Sequence, residues 1–182
     1  GDVDDDDACV LDVDGVTPFD CDDGDAAISP FEAELWNAID DDCDGLYDEG
    51  LIPDDALVIT EIMNNPDAVA DLQGEWFEVT NVSSVAINLI GAELGDLDTD
   101  YLVVDDHVWV DPGAYVVLGN NDDDTTNGGV LLDFAYDPAV FILANGSDEL
   151  VILHDGWLLD DVAYDDGATF PDPTGASMQL DI

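Results

Sequence analysis

Residues Glu75–Asn81 read Glu-Trp-Phe-Glu-Val-Thr-Asn. Phe77 and Val79 lie two positions apart, so on an extended strand they share one face, while Glu78 takes the other. The same kind of text continues on both sides. Before it stands ALVITEIM (Ala56 to Met63). After it come AINL (Ala86 to Leu89), YLVV (Tyr101 to Val104), HVWV (His107 to Val110) and AYVVLG (Ala114 to Gly119). Then follow GVLLDFAY (Gly129 to Tyr136), VFILAN (Val140 to Asn145), ELVILHD (Glu149 to Asp155), DDVAY (Asp160 to Tyr164) and SMQLDI (Ser177 to Ile182). In ELVILHD, Leu150 and Ile152 share a face with His154.

Nearly every gap holds a turn former: Asn65-Pro66, Asp111-Pro112-Gly113, Asn127-Gly128-Gly129, Asn145-Gly146, Asp155-Gly156 and Asp166-Gly167. Short strands at this spacing predict an antiparallel sandwich or barrel. No stretch sustains a helical period. The expected fold class is all-β, with the sheet region spanning 54–182.

Towards the N-terminus the composition changes near Gly50. Residues 1–50 hold 16 Asp and 3 Glu with few large apolar side chains, and Leu51 to Asp55, containing Pro53, reads as a linker. Over the whole chain there are 47 acidic residues, no Lys, no Arg and two His, against 47% hydrophobic residues. A core can be buried, but no ion pair to Lys or Arg can form anywhere. Average composition would supply roughly twenty basic residues. Such a charge opposes the compact state by self-repulsion. Divalent cations relieve it by direct coordination; adaptation to high salt, where screening tolerates like charges, is the alternative. Nucleic acid and direct membrane insertion are excluded as partners, since the first needs basic patches and no apolar run nears the about 20 residues that span a bilayer. The first residue, Gly1, is not Met and begins no leader-like run, as expected of a processed chain.

Cys9, Cys21 and Cys43 all lie in the acidic segment. Clustering in a small, core-poor region reads as a disulfide staple in an oxidising compartment, extracellular or on the cell surface. A zinc site is the rival, though no histidine is near and C-x2-C spacing is absent. An odd count leaves one thiol over, unpaired or joined to another chain.

Asp40-x-Asp42-x-Asp44-Gly45 places carboxylates on alternate positions before a turn-forming Gly, as calcium loops of the EF-hand kind begin. Leu51 stands where such a loop has its twelfth, acidic ligand, and Asp48 and Glu49 are the substitutes. Asp20, Asp22, Asp23 and Asp25 form a second cluster around Cys21. Asp12 and Asp14 form a third.

Taken together, Asp20 to Gly50 resembles the aspartate-rich metal-binding repeat of bacterial secreted proteins, the MopE type. Asp20, Cys21, Asp22, Asp23, Asp25, Ile28, Pro30, Glu34, Asn37, Ile39, Asp40, Asp42, Cys43, Asp44, Gly45, Asp48 and Glu49 carry the match. Ala38 departs from it. The resemblance implies Ca²⁺ as cofactor, Glu34 among its ligands, and a Cys21–Cys43 bridge. The remainder resembles a lamin-tail domain, an immunoglobulin-like sandwich, through Ile59, Glu61, Ile62, Asn65-Pro66, Gly74 to Val79, Asn81, Pro112-Gly113-x-Tyr115 and Asp148-Glu149-Leu150. It implies adhesion, assembly or attachment rather than chemistry.

No catalytic set is recognisable: no G-x-S-x-G, no cysteine beside a histidine, and no cation for an oxyanion. His107 and His154 read as surface or turn residues, and Trp76, Trp109 and Trp157 as core. Glu61, Glu75 and Glu78 read first as outward-facing and second as ligands of an ion between strands. The expectation is a non-enzymatic, secreted, calcium-binding structural or adhesive protein, self-associating or bound to a cell-surface partner. An accessory domain of a larger secreted hydrolase is the alternative.

Overall fold

The computed structural model describes residues 22, 24–25, 27–30, 32–35, 37, 39–43, 45, 52–53, 55–96, 101–154, 156–169 and 171–180. Contacts divide the chain into two units, Gly1–Ile52 and Pro53–Ile182.

Among the described residues of the second unit there are eleven strands and one helical turn. The strands are β1 (Leu57–Met63), β2 (Trp76–Asn81), β3 (Ile87–Asn88), β4 (Glu93–Gly95), β5 (Tyr101–Val103) and β6 (Trp109–Val110). They continue as β7 (Tyr115–Gly119), β8 (Phe134–Ala135), β9 (Ser147–His154), β10 (Trp157–Asp165) and β11 (Met178–Gln179), and α1 is Asp71–Gly74. One sheet runs β11-β1-β2-β7-β8, a second β10-β9-β4-β5, and β3 pairs with β6.

Register explains the core. In the five-stranded sheet Ile59 opposes Val79, which opposes Val116, and Ile62 opposes Phe77, which opposes Leu118. All six are buried. In the other sheet Leu94 and Ile152 are partners, as are Leu150 and Val162, and these too are buried. The backbone N–H of Ile59 also donates to Asp160 Oδ2 at 2.7 Å, which ties β1 to β10 across the two sheets. Asp111-Pro112-Gly113-Ala114 is a tight turn closed by Ala114 N–H to Asp111 C=O at 2.8 Å. Gly113 there has φ 72, as the third residue of a type II turn requires.

Three expectations are corrected. The sandwich is not wholly antiparallel: β7 and β8 are parallel, because residues 120–133 carry the chain back so that Phe134 lies beside Leu118. VFILAN forms no strand, although Phe141 and Leu143 are buried and Ile142 is exposed. Trp109 and Trp157 are 43% and 71% exposed, not core. Val108 and Val110 flank Trp109 and take the inward positions, and Trp157 follows directly on the Gly156 turn at the start of β10.

Candidate metal centre

The first unit holds its acidic side chains with local backbone bonds. Asp22 Oδ1 accepts from Gly24 N–H at 2.8 Å and Asp25 Oδ1 from Ala27 N–H at 3.0 Å, both exposed Asx-type turns. Asp41 is only 3% exposed. Its carboxylate accepts from Leu35 N–H at 2.9 Å, and Asn37 Nδ2 donates to its two oxygens at 3.2 and 3.0 Å. Asp41 therefore holds the loop's shape and leaves its neighbours to point elsewhere.

Those neighbours converge. Carboxylate oxygens of Glu34, Asp40 and Asp42 lie within 4.8 Å of one another, each residue half-buried. Glu34 Oε1 accepts from Asp42 N–H at 3.0 Å, and Asp40 Oδ2 from Gly45 N–H at 2.9 Å, so the backbone fixes both carboxylates. Three like charges this close repel strongly, and an oxygen-only donor set of this size suits a hard cation. Asp22 and Asp25 are not part of this cluster. Asp12, Asp14, Asp20, Cys21, Asp23, Asp44, Asp48 and Glu49 lie outside the described residues. Cys43 is 4% exposed.

Residues 53–166 match the Lamin Tail Domain family, and residues 20–49 match the Cu-binding MopE-like metal-binding motif. The chain belongs to the lamin tail domain family. The first match covers more than half its length, and the motif precedes the domain in the order read from the sequence. No curated protein is similar to the chain above the level of chance. The lamin tail domain is a non-catalytic, immunoglobulin-like fold, and the nearly all-β second unit agrees with it.

Within the lamin tail domain the three strand glutamates separate. Glu61 and Glu78 are direct cross-strand partners on the outer face, each holding a hydroxyl: Thr60 Oγ1 donates to Glu78 Oε1 at 2.7 Å, and Ser177 Oγ donates to Glu61 Oε1. Glu75, expected first to face outward, is buried, at 1% exposure. Burial pushes its carboxyl up to about 8, aided by Asp71 and Asp148 against the opposing bond from Leu143 N–H. The signal was present, since Glu75 shares the odd-numbered parity that turns Phe77 and Val79 inward. His154 is likewise buried, at 5%, with Nε2 3.1 Å from Ile90 C=O. Its place on the face of Leu150 and Ile152 wins over its nearness to the turn. His107 is exposed, its Nδ1 2.9 Å from the Asn88 amide.

Proposed function

We propose that this lamin tail domain protein is a non-enzymatic, secreted calcium-binding protein with a structural or adhesive role, associating with itself or with a cell-surface partner. The observation that carries the reading is the Glu34–Asp40–Asp42 cluster in a chain with no Lys or Arg to neutralise it. Calcium is favoured over the copper of the motif's name by donor chemistry. Copper prefers imidazole and sulfur ligands, whereas the cluster offers carboxylates, and both histidines belong to the other unit, at 107 and 154. A Cys21–Cys43 bridge would close the loop that carries these ligands, and the burial of Cys43 supports it; non-reducing peptide mapping that found the two unlinked would remove it.

Calorimetric titration of the chelator-stripped full chain tests the metal. Calcium uptake at millimolar concentration or below is expected, weakened at least tenfold in the D40N/D42N double variant. Absence of uptake by the parent chain, or tight copper binding in its place, overturns the reading. The exposed Trp157 and Trp109 favour a second reading, an accessory domain whose aromatic surface contacts a ligand for a larger secreted hydrolase.

A further inference from the structure

The segment 140–145 has the alternation of a strand but satisfies its backbone in another way. Leu143 N–H donates to Glu75 Oε2 at 3.1 Å, and Ala144 N–H donates to Asp148 Oδ2 at 2.7 Å. Ala144 C=O accepts from Asn64 Nδ2 at 3.2 Å and from the Tyr164 hydroxyl at 2.9 Å. Asn64 Nδ2 also reaches Asp172 Oδ2 at 3.3 Å, and Asn120 Nδ2 lies 3.4 Å from Glu75 Oε2. One polar network therefore joins Asn64, Glu75, Asn120, Asp148 and Asp172 around a single stretch of chain. Tyr164 is pushed up by burial and then by the charges of Asp148, Asp172 and Glu75, so these carboxylates face one neighbourhood.

The network leaves a specific set of atoms over. Among the described residues, the buried side-chain atoms without a hydrogen-bond partner are Asn64 Oδ1, Glu75 Oε1, Asn120 Oδ1, Tyr136 Oη and Asp172 Oδ1. All five are oxygens: four belong to carboxylates or amides, and the fifth is the Tyr136 hydroxyl, which can also donate. The two amides are not interchangeable end for end. Asn120 Nδ2 is committed to Asp71 C=O at 2.7 Å and Asn64 Nδ2 to Ala144 C=O, which makes the oxygen of each amide the unpartnered atom. Asn64, Glu75 and Asn120 are 0%, 1% and 6% exposed. An unpaired polar group so deep costs stability, and this chain has no cationic side chain to offer. What suits a surplus of buried oxygen acceptors is a hard divalent cation, for which carboxylate and amide oxygens are the ordinary ligands.

We propose that the sandwich holds its own calcium-class cation at Glu75, separate from the acidic motif, with Glu75 Oε1 and Asn120 Oδ1 as ligands and Asn64 Oδ1 and Asp172 Oδ1 as the further oxygens drawn to it. The site differs in kind from the Glu34–Asp40–Asp42 cluster. It combines one deeply buried carboxylate, Glu75, and the half-buried Asp172 with two neutral amides, an arrangement that limits the repulsion three buried carboxylates would bring. Its role is structural: the ion would fasten the end of β7 and the start of β2 to the segment 140–145.

The test is diffraction from crystals of the full chain soaked in Tb³⁺, an oxygen-seeking calcium substitute. An anomalous peak within about 2.6 Å of Glu75 Oε1 is expected. Empty density or an ordered water without anomalous signal at Glu75 overturns the proposal, whether or not the Glu34–Asp40–Asp42 cluster is filled. The motif's own peak reports on the motif independently. In solution, E75Q should bind one Ca²⁺ fewer per chain by elemental analysis than the parent. An unchanged count in folded E75Q also overturns the proposal, and the parent crystals decide the matter if the variant does not fold.

Discussion

Glu75 and Glu78 stand three residues apart, and the pleat alone sends them to opposite environments. Glu78 emerges on the outer face and meets Thr60 and Glu61. Glu75 enters the interior with Phe77 and Val79, where removal from water raises its carboxyl to about 8. Its folded value lies above the unfolded value of 4.5, so the folded state binds more protons between those limits. Stability conferred by the neutral form is then present below pH 4.5 and is lost as pH rises through 8. With calcium removed, the parent chain should lose on the order of 2 kcal/mol relative to E75Q between pH 6 and pH 8, where ordinary carboxylates no longer titrate. Denaturant midpoints of the two proteins across that range measure it, and parallel curves would refute the assignment. Single-residue burial was thus legible where strand parity was followed through, as at Phe77, Val79 and Leu150. It was misjudged at Glu75, His154, Trp109 and Trp157, where chemical type was weighed above position.

At the level of elements, the strand runs were readable because they combined β-forming residues with turn formers in nearly every gap, and all ten runs outside VFILAN contain a strand. VFILAN has the same pattern but no ladder, since side-chain carboxylates from Glu75 and Asp148 take the N–H groups of Leu143 and Ala144. Glu75 is far away in sequence and leaves no local trace at Leu143, whereas Asp148 lies only four residues beyond Ala144. β4 has no readable signal in the sequence, being three residues with one large apolar side chain. Asn81 shows how a polar side chain can join elements. It is 0% exposed; its Nδ2 donates to Val85 C=O at 2.6 Å and Val110 C=O at 2.7 Å, and its Oδ1 accepts from Ser83 N–H and Oγ. The end of β2, the turn into β3 and the end of β6 are fastened by this one amide. The folded chain also buries it away from any glycosylating enzyme, despite the Asn81-Val82-Ser83 sequon. N81A should cost about 2–4 kcal/mol, because several buried groups lose their partners together. N145A, at an exposed position whose amide reaches only Asp71, should stay within about 0.5 kcal/mol. Chemical denaturation of both variants checks the contrast, and equal effects would mean that Asn81 does not join these elements.

For the whole molecule the governing quantity is a net charge of −47 with no basic side chain. Two copies approaching one another meet repulsion of one sign from every direction, and simple salt screens it only beyond about 10 Å at 0.1 M. Short-range contact needs cations that coordinate carboxylates from both sides. The second unit offers surfaces for such contact. β5 and β8 are the outer strands of their sheets, and Tyr101, Val103, Phe134 and Val140 line a groove between them together with Asp105 and Asp137. Outer strands present backbone groups that a neighbouring strand can pair with, and no lysine guards these. Self-association should therefore depend on calcium specifically. In millimolar Ca²⁺ the full chain is expected to sediment as particles far larger than one chain, and to return to single chains on chelation. In 1 M NaCl with chelator, screening reaches about 3 Å without bridging carboxylates, so single chains should persist. Assembly in NaCl equal to that in calcium would assign the acidity to salt adaptation instead. A monodisperse single chain at high protein concentration in millimolar calcium would end the assembly reading and favour the accessory-domain one, because charge neutralisation would then have been achieved without any partner taking up the open edges.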